Sequence, residues 1–181
     1  ALEVVWFRAL VMVFGSTTYS VAVLLAIFLG AVGIGGLMAA WVTRRLEPRW
    51  WGMAVGLGLL MAGGYVLWSG MWFAGAPQAF VEALASGMTW ENLMARKVGL
   101  ALRLMAPAAL GLGLAMPVAA AMVRAADGGA ADLAVGRTYL GNSVGACVGV
   151  LVGGFVLLPA VGLRETMVVL GAAVLGLGCV V

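Results

Sequence analysis

Long apolar blocks separated by short polar breaks govern this chain. A membrane-crossing helix needs about 20 apolar residues at a rise of 1.5 Å each. The block lengths accordingly predict helices over 1–15, 17–43, 51–73, 90–123, 138–160 and 165–181. Together they describe an all-α, polytopic transmembrane bundle of about six helices, and residues 1–181 form one membrane domain. The first block is too short to span, lacks an initiating Met and lacks the basic flank and cleavage site of a signal peptide. The last stops in mid-run at Val181, so the domain reads as truncated at both ends.

Composition agrees with the pattern. The 181 residues are 65% hydrophobic and only 9% charged, against about 25% charged in soluble domains. The net charge of +3 comes from arginines in the breaks, and His is absent. No imidazole is therefore available for haem, a metal or a proton relay. Cys147 and Cys179 lie inside apolar blocks, where a thiol behaves as a small hydrophobe.

The positions of the cations set the expected orientation. Segments 43–50 and 124–137 carry Arg44, Arg45, Arg49, Arg124 and Arg137, whereas the opposite breaks carry Arg96, Lys97 and Arg164. Excess Lys and Arg mark cytoplasmic loops, and aromatic rings gather at headgroup level. Trp41, Trp50 and Trp51 flank one predicted interface; Tyr65, Trp68, Trp72 and Trp90 gather at the other. Within the long 74–89 connection, Phe80, Val81 and Leu84 have the spacing of a short surface helix. Thr89 is placed to cap the fourth long helix, with Glu91 in its first turn.

Small residues predict the packing surfaces. Gly141, Gly145, Gly149 and Gly153 recur every fourth position, drifting only about 40° per step. Thr18, Ala22, Ala26 and Gly30 form a similar stripe, as do Ala54, Gly58 and Ala62. In lipid, close backbone approach through small residues holds helices together, so each stripe predicts a helix contact; a substrate path lined by glycine backbone is the alternative. Pro107 and Pro117 each remove a helical hydrogen bond from the fourth helix and permit a kink. Such breaks serve either packing or a transport site.

Glu3, Arg8 and Arg103 interrupt apolar stretches, and ionisable groups at membrane depth mark function or a buried pair. Measured from Gly15, Arg8 lies about 10 Å inside the outer interface and Glu3 about 18 Å; Arg103 lies about 9 Å inside Lys97. Three arrangements satisfy these depths: an ion pair between Glu3 and Arg103, an arginine snorkelling outward, or contact with a substrate or coupling ion. Asn142 stands beside the glycine ladder and needs an interhelical partner. The expected substrate-binding set is thus Glu3, Arg8, Arg103 and Asn142. The glycine clusters lack the strand and turn of a dinucleotide site, and nucleophile–base and metal-ligand spacings are missing. The reading is non-enzymatic, with no cofactor, no metal and no nucleic-acid partner.

Two segments carry a family resemblance. Glu3-Val4-Val5-Trp6-Phe7-Arg8, followed by Phe14-Gly15-Ser16, Tyr19-Ser20 and Phe28-Leu29-Gly30, resembles the opening of the membrane part of bacterial fused major-facilitator/spermidine-synthase-like proteins. Gly136-Arg137-Thr138-Tyr139-Leu140-Gly141-Asn142-Ser143-Val144-Gly145-Ala146, with Gly153-Gly154-Phe155 and Pro159-Ala160-Val161-Gly162-Leu163, is similar to a second signature of that family. The resemblance implies half of a major-facilitator bundle in the bacterial inner membrane, often preceding a cytosolic aminopropyltransferase-like domain. The functional expectation is a transporter-like domain for a small, polyamine-like cation, with the lipid bilayer and other membrane subunits as partners. The alternatives are a scaffold or accessory subunit of a larger membrane complex, and a membrane anchor for such an enzyme domain.

Overall fold

The computed structural model describes residues 2–15, 17–72, 78, 89–126 and 131–181, and every regular element among them is helical. In chain order these are α1 (Leu2–Phe14), α2 (Thr18–Arg45), α3 (Trp51–Trp72), α4 (Trp90–Ala126), α5 (Ala131–Leu151) and α6 (Leu158–Val180). A 3-10 turn, Pro48–Trp50, opens α3, and a π-helical stretch, Val152–Leu157, joins α5 to α6. The expected surface helix at Phe80, Val81 and Leu84 lies outside the described residues.

Four segments are long and apolar enough to cross a membrane: Thr18–Arg45, Pro48–Met71, Trp90–Ala126 and Val135–Val180. The chain is thus a multi-pass, all-α membrane protein. These are fewer than the six helices expected, because α1 has only 13 residues and the last two predicted helices join in one continuous run. That run is broken at Gly162, whose φ of 84° and ψ of 176° are not helical. Such a conformation is essentially confined to glycine. Thr166, itself buried, donates its hydroxyl to the Gly162 carbonyl at 2.6 Å and satisfies an acceptor freed by the break.

Local chemistry fixes the other element ends. Gly15 adopts a φ of 81°, ending α1, and Thr17 caps α2 by accepting from the Ser20 amide at 3.2 Å. Thr89 takes the same role for α4, accepting from the Asn92 amide as its position predicts. The π stretch has a cause in Pro159, which cannot donate to the Phe155 carbonyl and whose ring would collide with it in a regular helix. Widening the turn, with the Leu158 amide bonded to the Gly153 carbonyl, relieves that conflict.

Helix directions follow from which residues meet. Ser20 meets Lys97, Gly35 meets the backbone around Leu114, and Thr43 shares a cavity with Arg124. Consequently α2 and α4 run parallel. Against α3, α4 is antiparallel, with Gly58 beside Gly111 and Tyr65 bonded to Arg103. The α3 and α6 helices are also antiparallel, because Gly63 abuts Leu175 and Gly56 abuts Gly178. Arg44, Arg45, Arg49 and Arg124 therefore lie at one end of the bundle, and Lys97 and Arg164 at the other.

Glycine makes these crossings possible. A Cβ on Gly63 would stand 2.7 Å from the Leu175 nitrogen, and one on Gly178 would stand 2.9 Å from the Leu60 nitrogen. Gly111 and Gly113 are as tightly enclosed, by the Gly58 and Val32 carbonyls. Such contacts bring the backbone of α3 close to α6 and α4, and that of α4 close to α2, and close approach of this kind holds helices together in lipid. The Ala54, Gly58, Ala62 stripe joins this surface as expected, with Gly58 and Ala62 buried.

Two expected packing stripes do not. Gly141 and Gly145 are exposed and a Cβ on either would meet nothing within 4 Å, while Gly149 is half-buried and Gly153 buried. Among the described residues the ladder is therefore open at Gly141 and Gly145 and covered toward Gly149 and Gly153. Ala22, Ala26 and Gly30 are likewise exposed, and α2 packs through Leu24, Ala31, Gly35, Ala39 and Val42 instead. A period of four shows which residues share a face. It does not show which face is covered.

Candidate functional site: open charged faces and a cleft at the arginine-rich end

The expected set of Glu3, Arg8, Arg103 and Asn142 does not converge. All four are exposed, on α1, α4 and α5. The Glu3–Arg103 ion pair is not formed: among the described residues the ion pairs are Arg49–Glu47 at 2.8 Å and Arg164–Glu165 at 3.7 Å, both at the surface. Glu3 misses the bundle interior because α1 turns Val5, Trp6, Ala9 and Leu10 inward. At 100° per residue, Glu3 and Arg8 flank that buried arc on opposite sides. Trp6, between them, is fully buried, and its indole nitrogen has no hydrogen-bond partner among the described residues.

Pro107 leaves the Arg103 carbonyl without its helical donor, and the Tyr65 hydroxyl from α3 donates to that carbonyl. The kink-prone site is thereby tied to the neighbouring helix, while the guanidinium projects from the exposed side of α4 about 20 Å along the axis from Trp90. Arg96, Arg103, Pro117 and Arg124 are all exposed and seven residues apart or multiples of seven, a step that drifts only about 20° per heptad. They define one side of α4. Where α2 crosses at Gly35, Leu110 and Leu114 are covered, so the stripe divides into an outer part at Arg96 and Arg103 and an inner part at Pro117 and Arg124.

The buried cation is Lys97, which charge counting assigned to the loop. It is 4% exposed and donates from Nζ to the Phe14 carbonyl at 2.9 Å and to Ser20 Oγ at 3.2 Å. The Phe14 carbonyl belongs to the last turn of α1, where no helical donor remains and a cation is favoured by the helix dipole. Ser20 Oγ is also 2.9 Å from Thr17 Oγ1, so one lysine braces the α1–α2 turn against α4. The Phe14 ring lies beneath the ammonium at 5.8 Å. A signal for this was present in the periodicity. Lys97, Ala101, Leu104, Ala108, Gly111 and Ala115 are spaced by four, three, four, three and four, which puts Lys97 on the buried face of α4.

At the arginine-rich end, α2, α4 and α5 enclose a cleft of about 280 Å³. Its walls are small and apolar, chiefly Gly36, Ala40 and Ala121, and its polar groups are Thr43, Arg124 and Tyr139. The Thr43 hydroxyl donates back to α2 carbonyls, to Ala39 at 3.0 Å or Ala40 at 3.2 Å. Its remaining role in the cleft is as an acceptor.

The fold and these charged faces define a multi-pass helical membrane protein whose polar groups lie largely on open surfaces. Compared with family models, curated proteins and solved structures, the chain matches none.

Proposed function

We propose that the chain is a transporter-like membrane domain for a small polar solute, and that it works as one unit facing a second. The observation that carries this reading is Arg103. Its guanidinium stands on the open side of α4, at membrane depth, with no carboxylate in ion-pair range among the described residues. An arginine facing hydrocarbon is costly and ordinarily faces a bundle interior or a water-filled cavity. A second unit, another copy or a further membrane segment, would close such a cavity over Arg103.

The alternating helix directions support the six-helix half-bundle that the family resemblance implies, with Gly162 turning α5 back into α6. A polyamine-like cation would have only Glu3 as an anionic contact among the four expected residues. Arg103 suits a solute bearing an anionic group, and that is the class proposed. Uptake into proteoliposomes separates the two. Uptake of a small labelled carboxylate that falls at least tenfold in Arg103→Gln, with the variant folded, supports the reading; spermidine uptake lost in Glu3→Gln would restore the cationic substrate. Absence of uptake of either class by the wild-type chain contradicts transport.

One observation favours the accessory-subunit alternative. Residues along α5 and α6 are largely exposed, and Gly141 and Gly145 meet open space. This apolar flank suits a partner helix in a larger complex.

A further inference from the structure

The cleft between α2, α4 and α5 combines features that the solute reading does not use. It lies at the end of the bundle where Arg44, Arg45, Arg49 and Arg124 collect, on the opposite end from Lys97. One wall is made of Gly36, Ala40 and Ala121, which leave room for a chain running along the helices. Its mouth carries Arg124 and the Tyr139 hydroxyl as donors, with Arg44 and Arg45 following Thr43 in the last turn of α2. None of Arg44, Arg45 and Arg124 is paired with a carboxylate among the described residues. At about 280 Å³ the space is near the lower limit of ligand pockets, about 300 Å³. It has room for a head group and the first carbons of a chain, and not for a whole lipid.

We propose that this cleft binds the phosphate head group of an anionic phospholipid, with the glycerol end of the acyl chains against the Gly36–Ala40 wall. The chemistry is a charge-assisted hydrogen bond from the Arg124 guanidinium to a phosphate oxygen, which the fork of an arginine matches well. Tyr139 supplies a second donor. The apolar wall distinguishes a lipid from a soluble phosphate ester, because only the lipid gains by covering it. Basic pockets between helices at the membrane surface are suited to such head groups.

The full chain is tested by native mass spectrometry from micelles, titrated with phosphatidylglycerol, phosphatidylcholine or glycerol phosphate. Phosphatidylglycerol should be retained at lower concentration than phosphatidylcholine, and Arg124→Gln should weaken its retention about fivefold, the factor that one basic residue contributes near a membrane surface. Arg164→Gln, at the other end, should leave it unchanged. Gly36→Leu is the second variant. A Cβ there meets nothing within 4 Å, so the side chain enters the cleft without disturbing the helix, and it should abolish phosphatidylglycerol retention while thermal stability is kept. Equal retention of the two lipids, or full retention in Gly36→Leu, overturns the proposal. Displacement of phosphatidylglycerol by equimolar glycerol phosphate also overturns it, by making a soluble phosphate ester the ligand.

Discussion

Lys97 shows how a single residue can hold two helices and a turn. Its ammonium donates to the Phe14 carbonyl at 2.9 Å and to the Ser20 hydroxyl at 3.2 Å, both within the α1–α2 turn. Lys97→Met keeps the apolar stem and removes the charge-assisted hydrogen bond to that carbonyl, a contribution of about 1.5–3 kcal/mol. The expected outcome is a lowered thermal midpoint in detergent, whereas Arg96→Met, one residue away and exposed, should change little. Equal midpoints for the two variants would show that the brace contributes nothing. The two neighbours are indistinguishable to a count of loop charges. Only the apolar periodicity of α4 separates them, and that periodicity was legible in the sequence. Glu3 illustrates the converse: its depth could be measured along the chain, but its direction depended on which side of α1 the other helices cover.

At the scale of elements, α2, α3 and α4 were readable because each is an apolar block ended by polar or glycine residues. The join between α5 and α6 was harder. Pro159 and the adjacent glycines widen the helix without ending it, and the reversal comes later, at Gly162. Small-residue stripes were readable as faces and not as contacts, which yields a direct comparison. Gly111→Leu would force a side chain into the Gly58 carbonyl and should destabilise the bundle by about 1–3 kcal/mol or more. Gly145→Leu enters open space and should leave the stability of the isolated chain unchanged. Thermal unfolding of both variants in detergent checks this. A large loss in Gly145→Leu would mean that the ladder is covered by another copy.

The whole molecule carries its charge asymmetry lengthwise. Leu46, beside the arginines, and Thr17, beside Lys97, should be labelled from opposite sides of the membrane when each is replaced by Cys; labelling from the same side would refute the helix directions. The largest part of the site was illegible because it concerns what covers the open faces, and no residue pattern within one chain specifies its partner. Transport as proposed requires that Arg103 face water and not lipid. Arg103→Cys, with the exposed Cys147 and Cys179 replaced by Ser, should react in sealed vesicles with a charged, membrane-impermeant thiosulfonate, while Phe155→Cys, at an apolar position 76% exposed, should not. Protection of both positions from the reagent would contradict the claim.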